Sequence, residues 1–320
     1  MKQNSKVAIT GISLMQGQQD SENAFQHIIR SEFSEKFNSG TRYRYFDRMS
    51  KLSLMNVEKA ITGREIKLEH TQSEKYGLIL GTEYGSLDSI HSFDLGSVEK
   101  GALSVNPGLF PNTVLNSTAC QVGIELSIEG PVHTIYNGFN SSLDAIGLGF
   151  NYIKSGKMSL IFAGGIDEIS DLVPKIHDRN PRIGEACGFV VLEDHSAYKG
   201  NAIAEILDYS TITHPSSNSY NNPSFVVERI NDFINRSDYT IDDVDMIYYA
   251  SSFLSQNDIC DDIHHKLTAG SNYEYNPVDW LGATGIVQTI TSIQSTNKNK
   301  INLISNIDKN AISLLLIKNC

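Results

Sequence analysis

The chain of 320 residues is poor in cysteine, proline and tryptophan, with four, eight and one of them. Cys120, Cys187, Cys260 and Cys320 lie far apart without any Cys-x-x-Cys spacing, which disfavours a zinc site and a secreted disulfide framework. No run reaches the roughly 18 consecutive apolar residues of a membrane span. Gln3, Asn4 and Ser5 interrupt the start, where a basic and then apolar leader would lie. Both absences predict a cytoplasmic protein that neither enters nor crosses a membrane. Positive charge is also scarce. Lys and Arg number 26 against 37 Asp and Glu, a net charge of -11, which argues against nucleic acid as a partner because that affinity rests on clustered cations. No metal and no cofactor are expected.

What remains is ordinary globular composition, 40% hydrophobic and 20% charged, enough for a sizeable core. Glycine-bounded apolar runs at Lys6–Thr10, Tyr76–Thr82, Leu160–Ile166 and Gly188–Glu193 read as buried strands, and helical spacing fills the segments between them. Such alternation predicts α/β layers. An internal echo suggests duplication. Leu160–Asp167 followed by the strand Cys187–Glu193 is matched by Ile301–Asp308 followed by Ala311–Ile317. The division expected is a half over residues 1–194 and a shortened half over 195–320. The trimming is placed at the polar run Pro215–Pro223, between a strand at Ala202–Ile212 and a helix at Phe225–Ile234. Residues 34–74 carry no motif.

One stretch has the grammar of a catalytic elbow. A strand leaves Gly130-Pro131, turns through Thr134-Ile135-Tyr136-Asn137-Gly138-Phe139-Asn140, and enters a helical segment from Ser141-Ser142 to Gly156; Ala163-Gly164-Gly165 follows. In order and register this resembles the ketosynthases of fatty-acid and polyketide assembly. Val7–Gly11, Gly77–Thr82 and Gly184–Glu193 supply further landmarks. The resemblance implies a thiolase-type, five-layered α-β-α-β-α fold made of two similar halves.

A ketosynthase takes its acyl chain on a helix-start thiolate of lowered pKa, with two histidines assisting decarboxylation of the extender unit. By the resemblance, the thiol's position holds Phe139. The first histidine's position holds Ser251, in Ala250–Asp258, which keeps Ala and Asn-Asp at a spacing one residue short of the family's. The second histidine's position holds Asp279, in Val278–Gly285, which keeps the glycine frame. Asp279 has a plainer reading as the cap of the following helix. All three catalytic groups are replaced, so the chain is expected to be inactive alone. Thr118-Ala119-Cys120 spells the catalytic tripeptide but precedes Gly130-Pro131. Cys120 is thus a packed thiol or, in a rival reading, a relocated nucleophile; Cys187 is a second such candidate.

The family member that fits this description is the chain-length factor of type II polyketide synthases, which forms a heterodimer with an active ketosynthase. The resemblance implies an interface strand at Thr134, Ile135, Tyr136 and Asn137. It also implies tunnel-gating residues on a helix over Phe110–Cys120, with Asn112, Leu115, Asn116 and Ala119 on one stripe. Acyl carrier protein would dock mainly on the companion subunit, since this acidic chain repels an acidic carrier. Another alternative is a partner that only stabilises a ketosynthase.

Overall fold

The computed structural model describes residues 6–19, 26–29, 37, 43–63, 66, 68–177, 182–195, 202–213, 222–252, 272–275, 278–308 and 311–320. Residues 253–258, Cys260 and the polar run at 215–221, all singled out above, lie outside them.

Ten strands form one continuous sheet: β1 (Val7–Gln16), β2 (Tyr76–Gly81), β3 (Val132–Ile135), β4 (Leu160–Asp167), β5 (Ala186–Asp194), β6 (Ala204–Thr213), β7 (Met246–Ser251), β8 (Asn272–Tyr275), β9 (Ile301–Ile307) and β10 (Ala311–Asn319). Their spatial order is β8-β7-β9-β10-β6-β1-β5-β4-β2-β3. Read outward from the junction, the first five strands run first, fifth, fourth, second, third, and so do the last five. Strand directions repeat as well. Fifth pairs antiparallel with first and fourth, while fourth, second and third are parallel. The two sets meet where Val7–Ile9 pairs antiparallel with Ala204–Ile206.

The helices used below are α1 (Arg48–Thr62), α2 (Leu87–Lys100), α3 (Ser117–Glu125), α4 (Ser141–Lys154), α5 (Pro223–Arg236) and α6 (Thr284–Ser295). Layering follows from strand alternation, because successive side chains leave opposite faces. Leu78, Leu80 and Phe162 pack outward with Met49, Leu52 and Val57 of α1 and Ala119 and Val122 of α3. Their neighbours Ile79, Ile161 and Ala163 pack inward with Leu143, Ile146 and Phe150 of α4. In the other half, Ile304, Leu315 and Ile317 join that same inner cluster, with Ile286 and Ile290 of α6, while Leu303, Leu314 and Leu316 face Val226, Ile230 and Phe233 of α5. The result is a helix–sheet–helix–sheet–helix stack, with α4 and α6 as its middle layer. Central strands buried on both faces are apolar without a break, which made them legible as runs. The first strand extends six residues past the expected end, where Ile12–Met15 are only half-buried and Gln16 is exposed, so no continuous apolar run marks it.

Polar contacts seat α4 between the halves. Asp144, in its first turn, accepts hydrogen bonds from Tyr209 Oη (2.8 Å), Thr211 Oγ1 (2.8 Å) and Ser313 Oγ (2.6 Å) of the second half. The Tyr209 ring lies directly over Gly147, leaving no room for a Cβ there. Gly147→Ala is therefore expected to destabilise by about 1–3 kcal/mol through overpacking. Gly96→Ala, in α2 with open space around it, should stabilise by about 0.5–1 kcal/mol through lost backbone freedom in the unfolded chain. Urea-unfolding midpoints of the two variants check both signs.

Candidate functional site

The elbow forms because α4 meets the ends of β2 and β4 at bare backbone. A Cβ on Gly81 would strike the backbone of Ser141 and Ser142, and one on Gly165 would strike the Ser142 side chain. Between β3 and α4 the chain turns at Gly138, whose φ of +53° is in the left-handed region that glycine adopts without strain. The sharp point is therefore one residue before Phe139. The turn is closed by local bonds. The Asn137 N–H donates to Ser141 Oγ (2.8 Å), which donates to the Gly138 carbonyl (2.7 Å). Phe139 follows with its side chain buried. Its carbonyl accepts from Asn306 Nδ2 at 3.4 Å, and Asn140 Nδ2 donates to the Ala311 carbonyl at 3.3 Å, tying the elbow to β9 and β10.

The other two replaced positions converge on this turn. Ser251 is the last residue of β7, buried, and in register with Ile307 of β9. Next to it, Ser252 Oγ donates to Asp308 Oδ1 at 2.5 Å. The second Asp308 oxygen stands 3.2 Å from where a Cβ on Gly138 would be. Asp279 is buried, and its Oδ1 accepts the Leu281 N–H at 2.8 Å. It thus holds the entry to the tight turn Leu281–Ala283 that leads into α6 but, contrary to the plainer sequence reading, does not cap that helix, and Leu281 is held there at φ +55°.

Three further carboxylates stand beside it, and all were missed in the sequence. Asp167, at the end of β4, is fully buried and accepts from Thr82 Oγ1 (2.8 Å), the Glu83 N–H (2.8 Å) and the Tyr84 N–H (2.9 Å). Glu83 and Asp308 complete the group. Burial pushes Asp167 up to about 7 against those hydrogen bonds. Glu83 is pushed up to about 9, first by burial and then by the charges of Asp167, Asp279 and Asp308. Asp279 rises to about 6 by burial, with Asp308 adding to it and Arg182 opposing. Burial, and for Glu83 and Asp279 the neighbouring carboxylates as well, thus disfavour the charged forms of this group. One signal for it was present: the internal echo ends in aspartate in both copies, Asp167 and Asp308.

The gate residues require correction. No single helix spans 110–120. A tight 3-10 turn over Pro107–Thr113 ends at extended Val114, and α3 begins only at Ser117. Pro111 has no N–H to continue an α-helical ladder, and Asn112 Nδ2 is bonded instead to the Tyr45 carbonyl at 2.7 Å. The expected stripe consequently splits. Asn112 and Ala119 are buried, while Leu115 and Asn116 are exposed. The interface strand is also shorter than expected. Thr134 and Ile135 belong to β3, whereas Tyr136 and Asn137 are already in the turn, and Asn137 Nδ2 bonds Asp144 at 2.6 Å. Cys120 is half-buried on α3. Cys187 is buried on β5, and that burial pushes its thiol far up, the opposite of what a nucleophile needs.

Comparison with known proteins places these features. Residues 15–174 match the family model described as the N-terminal domain of beta-ketoacyl synthase. The chain is 26% identical over 142 residues to the chloroplastic 3-oxoacyl-(acyl-carrier-protein) synthase I of Arabidopsis thaliana, covering 43% of this chain but 30% of that one. With a putative polyketide beta-ketoacyl synthase 1 of Streptomyces virginiae it shares 23% identity over 294 residues, covering 78% of this chain and 69% of the other. The ishigamide ketosynthase/chain length factor structure superposes with a TM-score of 0.81 at 16% identity, over 98% of this chain and 99% of that one.

The carboxylates fix a pH dependence. Their folded pKa values exceed the unfolded range near 4, so the folded state holds more protons and stability falls as pH rises through about 6, 7 and 9. Thermal melts should therefore show a falling midpoint between pH 5 and pH 9, and Glu83→Gln should flatten the part above pH 7. A midpoint that rises over this range would contradict the assignment.

Proposed function

Since the chain belongs to the beta-ketoacyl synthase family, we propose that it is a non-catalytic ketosynthase-like subunit of the chain-length-factor kind. It would pair with an active ketosynthase in polyketide biosynthesis and shape the channel that holds the growing chain. The observation that carries this reading is the state of the elbow pocket. Phe139 stands buried where the family resemblance puts the nucleophile, and Glu83, Asp167, Asp279 and Asp308 form an electrostatically linked group beside the elbow. A thiolate, a malonyl carboxylate or an enolate would each add an anion beside carboxyl groups whose charged forms are already disfavoured by burial and by one another. This environment is the reverse of the one that stabilises an oxyanion.

The surface supports a companion. Among the described residues, nine of the twelve exposed large hydrophobics lie between Leu95 and Tyr136, so one segment carries nearly all of them. That segment includes α2, which has no buried residue at all, and adjoins the edge strand β3. Apolar surface concentrated in this way marks an interaction face. Acyl carrier protein would be received mainly by the companion, which must supply the positive surface that a chain of net charge -11 lacks.

The decisive experiment is co-expression with an active ketosynthase, followed by co-purification and mass measurement of the product. The chain should copurify, and alone it should neither retain acyl label from an activated thioester nor condense it with malonyl units. Phe139→Cys should leave it inactive, because Ser251 and Asp279 remain; recovery of condensation by that change alone would sink the proposal. Phe139→Ala should weaken the heterodimer while the complex still makes product. Leu115→Trp, on the exposed gate segment, should shift products to shorter chains. An unchanged profile from an intact complex would reduce the role to stabilisation.

A further inference from the structure

A second cavity lies away from the elbow, between the outer strands of the second half and α6. It is a half-open cleft of about 180 Å³ lined by Gln16, Tyr248, Glu274, Tyr275, Trp280, Val287, Gln288 and Thr291. We propose that it binds a small, uncharged, planar ring bearing an N–H donor beside a carbonyl acceptor, a lactam or a primary carboxamide.

The argument begins with Gln288. It is 2% exposed, yet neither its Nε2 nor its Oε1 has a hydrogen-bond partner. The other polar side chains buried in that helix are satisfied locally, Thr289 Oγ1 by the Gly285 carbonyl (2.7 Å) and Ser292 Oγ by the Thr289 carbonyl (2.8 Å). A leucine of similar volume would fill the position without stranding a donor and an acceptor. An amide with both ends open matches a ligand edge that presents one donor and one acceptor side by side. Water is the competing occupant, and the test below separates the two.

Size and walls restrict the ligand further. A cavity of about 150 Å³ holds a benzene ring, and sites for drug-sized molecules begin near 300 Å³. About 180 Å³ therefore takes one ring with one substituent. The rings of Tyr248, Tyr275 and Trp280 provide flat apolar walls suited to a planar guest. Glu274 lines the cavity in register with Tyr248 and adds its charge to the burial that raises the Tyr248 phenol, so a carboxylate guest meets a negative charge.

Trp280 is the sole tryptophan of the chain, which makes intrinsic fluorescence a direct reporter of this cavity. Nicotinamide and uracil should give saturable changes in Trp280 emission and raise the melting temperature. Benzoate, which replaces the carboxamide by a carboxylate, and toluene, which lacks the edge, should not. Gln288→Leu should weaken nicotinamide binding at least about tenfold while keeping the native circular dichroism. Should that variant fail to fold, Glu274→Gln at the mouth serves in its place, and it should admit benzoate. The proposal is overturned if neither amide ligand saturates, leaving only water in the cavity. It is equally overturned if toluene binds as well as nicotinamide, if Gln288→Leu retains affinity, or if Glu274→Gln leaves benzoate excluded.

Discussion

The close seating of the α4 N-terminus on bare strand backbone sets the rest of the site. Gly81 and Gly165 remove the side chains that would hold Ser141 and Ser142 away. The helix start then enters the sheet ends deeply enough for the elbow carbonyls and amides to reach β9 and β10 through Asn306 and Ala311. Asp144 completes the fixation by collecting three hydroxyl donors from the opposite half. An aspartate in the first turn also suits the positive end of the helix. A family that works by displaying a nucleophile at this point needs such rigidity. The same rigidity here displays Phe139.

The sequence made the scaffold readable because each scaffold feature is local. Tyr76–Gly81 and Leu160–Asp167 are apolar throughout since both faces are buried, and α4 carries a continuous helical pattern. The Leu281–Ala283 turn was foreshadowed by an aspartate before a glycine frame, but Asp279 accepts the Leu281 N–H ahead of the turn and does not cap the following helix. The gate was misread because helical spacing alone cannot register that Pro111 and Asn112 divert the backbone into a tight turn. Periodicity continued through residues whose hydrogen bonds go elsewhere, to Tyr45 in particular. The interface strand was overextended for a related reason, since Tyr136 and Asn137 continue the strand composition while Gly138 already dictates the turn.

The acidic pocket was hidden for a different reason. Asp167 ends β4, Asp308 follows β9 and Glu83 follows β2, and none of the three stands out in a chain with 37 acidic side chains. Only topology assembles them. β4 and β9 occupy the same place in their respective halves, fourth in each set. The repeated topology thus brings Asp167 and Asp308 into one group with Glu83.

That symmetry bears on how such a cavity persists. Burying several carboxylates near one another is costly unless charge is relieved, and two means of relief operate here. Asp167 takes two backbone N–H donors and the Thr82 hydroxyl, which favour its charged form despite full burial. Glu83, with neighbours of like charge and fewer donors, gives way instead by keeping its proton. Proton retention by one member of a crowded group is the expected outcome when like charges share a site. The stability of the elbow is therefore coupled to the protonation of these carboxyl groups.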